Sequence, residues 1–403
     1  MALLTAAELL QELLARARPL TDSETIPLEQ AQGRIVARGV MSRVTVPPLD
    51  NSAMDGYAVR TADCLAPGVT LKIAQRIAAG QVGQPLPAGM AARIFTGAPI
   101  PPGADAVVMQ EDTEAAAGGV LLRSLPRPGQ HIRRAGEDMR ARDEILPPGT
   151  RLGAAELGLA AAAGVAEVEV TRRLRVALLS TGDELAEPGR PLVPGQIYNS
   201  NRVSLKALLA GLAVEIQDLG ILADDLASTR AVLEKAAAGA DVILSTGGVS
   251  VGEEDHVKAA VQSLGRLDLW KVAMKPGKPL AYGAIGTADF LGLPGNPVSA
   301  FAAFCLFTRP FLLKRMGASR VLYRAFPVRA AHAWPQTGSR REFLRALLVS
   351  GGDGQGEVRL FPNQGSGVLT SVVWADGLVD LPPGSTVKRG DWLRYIPLSE
   401  VSG

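Results

Sequence analysis

The chain has two cysteines, Cys64 and Cys305, and three histidines, His131, His256 and His332, in 403 residues. Two cysteines so far apart exclude a disulfide framework. Cys305 also lies in an apolar run that reads as helix, so a reducing compartment, the cytoplasm, is expected. Isolated histidines and so few thiols exclude a closed zinc site. Charge of one sign is lacking too: 42 Lys and Arg against 40 Asp and Glu leave a net +2. Such a balance gives no strong pull toward nucleic acid or an anionic membrane, and neither partner is expected. Long hydrophobic runs are missing. The longest, Leu157 to Ala166, is rich in alanine and glycine and falls short of the roughly 20 residues of a membrane span. The first residues read as an amphipathic helix rather than a signal peptide, with a capping box at Thr5-Ala6-Ala7-Glu8 and a stripe of Leu9, Leu10, Leu13 and Leu14.

What is present is apolar content and length: 47% hydrophobic and 20% charged residues over 403 positions fit a soluble globular protein of several domains. Residues 1–40 read as helical, with a second helix near Leu28–Arg38. From Ser42 to about Asp143, prolines and glycines punctuate short β-like runs at Leu71–Ile77, Ala106–Gln110 and Val120–Leu125. Helical character returns at Leu152–Ala163. The expected division is therefore a helical, dimer-forming domain of residues 1–41 and 144–173, split by a β-rich insertion of 42–143.

Residues 174–320 alternate strands with candidate helices at Arg202–Leu212, Leu226–Ala238, Asp255–Leu264 and Val298–Met316. That alternation predicts a doubly wound parallel sheet. Residues 321–403 read as a small all-β domain, with turns such as Gly351-Gly352-Asp353-Gly354 and Pro382-Pro383-Gly384. The fold class is multidomain α/β.

Three stretches of the α/β region repeat one pattern: strand, small-residue turn, carboxylate. LRVALLS leads to Thr181-Gly182-Asp183-Glu184, VEIQDLG to Asp224-Asp225, and DVILS to Thr246-Gly247-Gly248 and then Glu253-Glu254-Asp255. Ligands of open α/β sheets bind beyond the carboxyl ends of the strands. Acids converging there suit a hard divalent cation that bridges to phosphate, with Glu184, Asp224 and Asp255 as ligands and Mg²⁺ as the cation. Singly, each acid equally fits a helix N-cap after a strand. The Thr246-Gly247-Gly248 turn allows close backbone approach to an anion, although a plain βα turn reads the same. It is neither a Walker A loop nor a dinucleotide fingerprint.

Lys271, Lys275 and Lys278 surround Pro276-Gly277 and supply positive charge for phosphate or another oxyanion. Leu293-Pro294-Gly295-Asn296-Pro297-Val298-Ser299 is a rigid turn into an apolar helix, either a helix start or a shaped wall with Ser299 facing a ligand. A polar, rigid loop at Asp50–Ala58 shares its character with Phe95-Thr96-Gly97 and Gly136-Glu137-Asp138. Gly365-Ser366-Gly367 is not a serine-hydrolase elbow, because no histidine is placed to act as base.

In order, SAMDGYAVR, RIFTGAPIPPGADAVVMQED, GEDM, STGDEL, YNSN, STGGVSVGEEDHV, KVAMKPGKPL and GLPGNPVSA resemble the MoeA family of molybdopterin molybdenumtransferases, which includes the E domain of gephyrin. The resemblance covers almost the whole chain. It implies four domains, an elongated homodimer, and Mg²⁺-dependent insertion of molybdate into adenylylated molybdopterin with release of AMP. It also implies an adenylyltransferase partner supplying that substrate. Carried over by motif, the family's functional acids fall on Asp55, Asp138, Glu184, Asp224 and Asp255. Thr96 and Arg133 match a loop of the insertion, and Lys271, Lys275, Lys278, Pro294 and Pro297 match the basic and proline segments. Ser299, Arg340 and Ser366 match molybdate-contacting positions. Met139 stands where the family often has Ile. Two other readings are a pterin adenylyltransferase, which shares the α/β core but is typically a small single domain, and a gephyrin-like scaffold without catalysis.

Overall fold

The computed structural model describes residues 3–223, 225–248, 256–352 and 354–402. The expected acids Asp224 and Asp255 lie outside the described residues. The centre is a seven-stranded sheet in the order Leu3–Leu4, Gly265–Val272, Pro279–Ile285, Ala288–Leu293, Val242–Thr246, Arg175–Thr181 and Glu215–Leu222. The last four strands in that order run parallel. Their apolar residues alternate between two cores, as strand geometry requires. Val176, Leu178 and Leu244 pack with the helices Ser200–Ala210 and Pro297–Arg315 on one face. Ala177, Leu179 and Ile243 pack with Leu226–Gly239 and His256–Leu264 on the other. This is the doubly wound arrangement, extended by Pro279–Ile285, which is antiparallel to both its neighbours.

The N-terminal segment corrects the expected grouping. The capping box at Thr5 and Glu8 is present and starts the helix Ala6–Arg16. Leu9 and Leu13 are fully buried, however, in the core of the α/β sheet, with Leu10 packed at its edge. Leu3–Leu4 adds a parallel strand beside Gly265–Val272. Leu9 and Leu13 of the leucine stripe are thus used within the chain, while Leu10 and Leu14 stay half-buried.

No second helix forms at 28–38. Leu28–Gln30 is a single 3₁₀ turn, Ile35 and Val36 make isolated bridges, and Ser23–Pro27 pairs with Glu167–Thr171. Pro27 and Gly33 interrupt that run, and Gly33 at φ +77° turns the chain where a helix would need φ near −63°. Apart from Ala6–Arg16, the region expected to be helical is therefore mostly paired strands around one short helix, Ala154–Ala162.

The insertion forms a six-stranded sheet in the order Ala106–Met109, Gly56–Val59, Met90–Ile94, Thr70–Ile77, Gly119–Leu122 and Thr113–Ala116. Near the C-terminus, Arg341–Ser350, Gly356–Leu360, Phe326–Ala330, Trp392–Pro397 and Gly377–Leu381 pair in turn, and the last pairs back with the first, closing a barrel. Met274–Lys275, from the α/β segment, joins that barrel as a parallel strand beside Arg341–Ser350. The helix Pro297–Arg315 has 19 residues and is long and apolar enough to cross a membrane by length and composition, but 83% of its apolar window is buried inside the fold. Both cysteines are free and buried.

Candidate active site

The parallel strands end together. Ser180 stands opposite Thr246 and Thr181 opposite Leu222, and Thr246 is in register with Leu293. Beyond these carboxyl ends, against the C-terminal barrel, lies a cavity of about 780 Å³. Its wall brings together Glu184, Thr246, Gly247, Gly248, Lys275, Lys278, Pro294, Pro297, Ser299, Arg340 and Ser366. These residues come from separate segments of the chain, and each is a site candidate on the sequence alone.

The turn after Val242–Thr246 is built on glycine. Gly247 and Gly248 have φ of +86° and +65°, and a Cβ on them would come within 2.5 Å of Thr181 O and 2.6 Å of Thr181 Oγ1. Only glycine fits both the conformation and the close approach. Asp183 and Glu184 start no helix; a turn and the short strand Leu185–Ala186 follow, so the N-cap reading does not hold for them. The Glu184 side chain is exposed in the cavity. No other described residue gives it a hydrogen bond or ion pair.

The positive side comes from the strand that crosses into the barrel. Met274 pairs with Arg341 and Lys275 with Glu342, which places Arg340 beside them. Lys275 Nζ lies 2.9 Å from Glu342 Oε1. Arg340 does not take Glu342; its Nη1 donates to Met274 O at 3.2 Å. Lys278, exposed in the same wall, has no carboxylate partner among the described residues. Ser366 is fixed through its carbonyl, which accepts from Val298 N at 3.0 Å. On the nearby helix, Arg202 holds Asp218 by two hydrogen bonds of 2.7 and 2.9 Å, and Lys206 adds one of 2.6 Å. Arg202 first, then Lys206, keeps Asp218 far below the usual carboxylate range.

Residues that were not singled out also form the wall. Asn199 caps the helix Ser200–Ala210 through Oδ1, which accepts from Arg202 N at 3.1 Å. Its Nδ2 and the Thr181 hydroxyl are buried and lack a hydrogen-bond partner among the described residues. Asn201 Nδ2 donates to Thr246 Oγ1 at 2.9 Å and to Gly295 O at 2.7 Å, joining the glycine turn to the Pro-Gly-Asn-Pro turn. An Asn ahead of a helical run signals a cap. Nothing local in the sequence signals the cross-loop bonds of Asn201.

Other expected residues lie elsewhere. Lys271 sits in the strand Gly265–Val272, opposite Leu3 and Pro279, and does not line the cavity. Asp55 and Thr96 meet in the insertion: Thr96 N and Oγ1 donate to Asp55 Oδ1 at 2.8 and 2.7 Å. The amide bond first, then the hydroxyl, holds Asp55 below the usual carboxylate range. Arg133 belongs to the same edge through its pairing with Asn51. Asp138 is exposed in the turn beside Val46.

Among the described residues there is no cluster of three or more His, Cys, Asp or Glu able to hold a metal. Mg²⁺ does not require one, since it commonly uses one or two carboxylates, several waters and substrate phosphates. The Glu184 carboxylate at the strand ends, without a partner among the described residues, fits that demand.

Comparison with known proteins gives consistent matches along the chain. Residues 4–164 match the MoeA N-terminal region (domain I and II), 177–314 a probable molybdopterin binding domain, and 327–398 the MoeA C-terminal region (domain IV). The molybdopterin molybdenumtransferase of Haemophilus influenzae is 40% identical over 95% of this chain and 96% of its own. That of a Nostoc species is 38% identical over 94% and 89%. Among solved structures, a molybdopterin biosynthesis MoeA protein of Pyrococcus horikoshii superimposes with a TM-score of 0.82 at 28% identity, covering 98% of this chain and 100% of that one.

Proposed function

The chain belongs to the MoeA family of molybdopterin molybdenumtransferases, and from that premise we propose that its cavity receives adenylylated molybdopterin and molybdate and yields molybdenum-bearing molybdopterin, AMP being released. The transferase role in molybdenum cofactor biosynthesis follows from the family. The assignment of chemistry to residues rests on one observation: a single cavity sets Glu184, unpaired among the described residues, against Lys275, Lys278 and Arg340.

Charge dictates the division of labour. Molybdate is a tetrahedral dianion and needs several donors at once. The planar fork of Arg340 and the hydroxyls of Ser299 and Ser366 supply directional bonds, while Lys275 and Lys278 supply charge. The glycine turn Gly247-Gly248, with Thr246 and the Asn199 amide, shapes the neighbouring wall for the pterin phosphate. Pro294 and Pro297 keep that wall rigid. Glu184, with Asp224 and Asp255, would hold Mg²⁺, which when bound neutralises the substrate's phosphates and polarises the P–O bond that breaks. Lys275 enters the reaction by leaving Glu342 for the incoming anion.

Asp55, Thr96, Asp138 and Arg133 are absent from the cavity wall of their own chain. We read the Asp55–Thr96 loop as completing the cavity of a second copy, in a homodimer whose contact lies outside the buried leucine stripe of the first helix. The cytoplasm is the expected site of action, with a separate adenylyltransferase supplying the substrate. A pterin adenylyltransferase reading leaves the insertion and the barrel without a role, and a scaffold leaves the unpaired cavity charges without one.

The test is AMP release by the purified chain from adenylylated molybdopterin, with molybdate and Mg²⁺. AMP formed only when molybdate and Mg²⁺ are present supports the reading. Consumption of ATP with adenylylation of molybdopterin, or no AMP at all, contradicts it.

A further inference from the structure

One of the largest buried side chains is a cation. Arg345 is 1% exposed, on the barrel strand Arg341–Ser350. Its neighbours Leu344 and Ala346 point into the barrel core, and Phe343 packs into the α/β core. By strand alternation Arg345 shares the outward side with Phe343. Its guanidinium is bound by neutral acceptors: Nε donates to Ser371 Oγ at 3.0 Å, Nη1 to Phe343 O at 3.4 Å and Nη2 to Gly365 O at 3.2 Å.

No carboxylate pairs with it among the described residues. Acids on the elements around it are engaged elsewhere: Glu342 by Lys275, Asp380 by Arg341 and Arg394, and Asp376 by Tyr395 and the Leu348 amide. Glu357 and Arg359 stand opposite Val349 and Leu347, farther along the strand, and the helix Thr370–Trp374 carries no charge. Burial pushes the Arg345 pKa down to about 10, so the group stays charged at neutral pH.

A buried cation without a counter-ion is costly, and proteins seldom keep one without a use for it. The geometry shows where a counter-charge would sit. Gln364, Gly365 and Ser366 line the cavity, and Arg345 grips the back of that loop. Its amide donates to Gln364 Oε1 at 2.9 Å, and Gln364 Nε2 donates to Arg345 O at 3.0 Å. The guanidinium thus lies one peptide behind the wall that carries Ser366.

We propose that Arg345 is a positioning residue whose missing counter-ion is the oxyanion in the cavity: it fixes the Gln364–Ser366 loop and sets positive charge behind it, without touching the anion. The inference rests on the reading that molybdate binds in this cavity. It adds a charge from behind the wall to the donors that face the ligand.

The experiment measures AMP release against molybdate concentration for wild type, Arg345→Gln and Arg345→Lys, with Arg340→Ala as control. Arg345→Gln should raise the half-saturating molybdate concentration by about tenfold or more, with the half-saturating pterin concentration within about twofold of wild type. Arg345→Lys should recover most of that loss at pH 7. A buried lysine loses its proton far more readily than arginine. Its half-saturation point should therefore climb by about fivefold or more between pH 7 and 9, while wild type stays flat. This pH readout needs only the lysine variant to fold. Equal losses in both variants, or a flat pH profile for Arg345→Lys, would reduce Arg345 to a loop anchor and overturn the proposal. An unchanged molybdate response in Arg340→Ala would instead sink the location of the oxyanion itself.

Discussion

The joint between the α/β sheet and the residues around 144–173 handles charge in the opposite way from the cavity beside the barrel. At the joint the charges around Asp241 and Arg34 are matched. Arg172 binds Asp241 through bonds of 2.7 and 2.9 Å and Asp22 at 3.1 Å, the Arg175 amide adds 2.8 Å to Asp241, and Arg34 binds Glu24 and Thr171 O. In the cavity, Glu184 and Lys278 have no such partners among the described residues, and Arg340 spends one bond on a carbonyl. Matched charges hold parts of the chain in register. Unmatched charges facing one open space are what a charged ligand leaves behind, because a protein gains nothing in stability from them. Asp55 lies between these extremes: it is satisfied by Thr96 yet lies outside the cavity.

The sharpest way to break the contrast is to neutralise the unmatched acid. Glu184→Gln should reduce Mg²⁺-dependent AMP release by about a hundredfold with the thermal midpoint unchanged, a loss of the size seen when a charge-stabilising group is removed from an active site. A variant that loses stability but keeps turnover would class Glu184 with the structural charges of the joint.

The intermediate case comes next. In verified heterodimers pairing an Asp55→Ala chain with a Glu184→Gln chain, one of two sites regains a full set of residues. Activity should then return to about half of wild type, as two-fold symmetry requires. No recovery would confine Asp55 to its own chain.

The smallest effect falls on the joint and concerns stability alone. Burial works against the Asp241 charge, but hydrogen bonds from Arg172 and Arg175 hold its pKa well below the ordinary value. A depressed folded pKa adds stability that is fully present above the unfolded value, roughly 3.9, and is lost as pH falls below it. Asp241→Asn should cost roughly 3 kcal/mol at pH 7 by chemical denaturation. The gap to wild type should narrow below about pH 4, and turnover per folded molecule should not change. A gap that persists in acid would mean that lost packing, not lost charge, explains it.

Much of this was legible in the sequence, for local reasons. The strands ending at Thr181 and Thr246 are apolar runs closed by small residues, and their shared edge follows from parallel pairing. The capping box at Thr5 and Glu8 could be read letter by letter. What could not be read depends on contacts distant in the chain. The leucine stripe of Ala6–Arg16 is equally apolar whether it meets a second subunit or the sheet at Val272 and Phe304, so its burial in the α/β core was hidden. Leu28, Ala31 and Ile35 imitate helical periodicity, yet pairing with residues 150–171 wins. The crossing of Met274–Lys275 into the barrel, which gives Glu342 to Lys275 and leaves Arg340 on the cavity, has no signature in either segment.

The central claim is that molybdate is held where the strand ends meet the barrel. Titrating molybdate against AMP release for wild type and Arg340→Ala tests it most directly. The half-saturating molybdate concentration should be higher by about tenfold or more in the variant, with the pterin concentration dependence unchanged. Superimposable molybdate curves would contradict it and place the oxyanion outside this cavity.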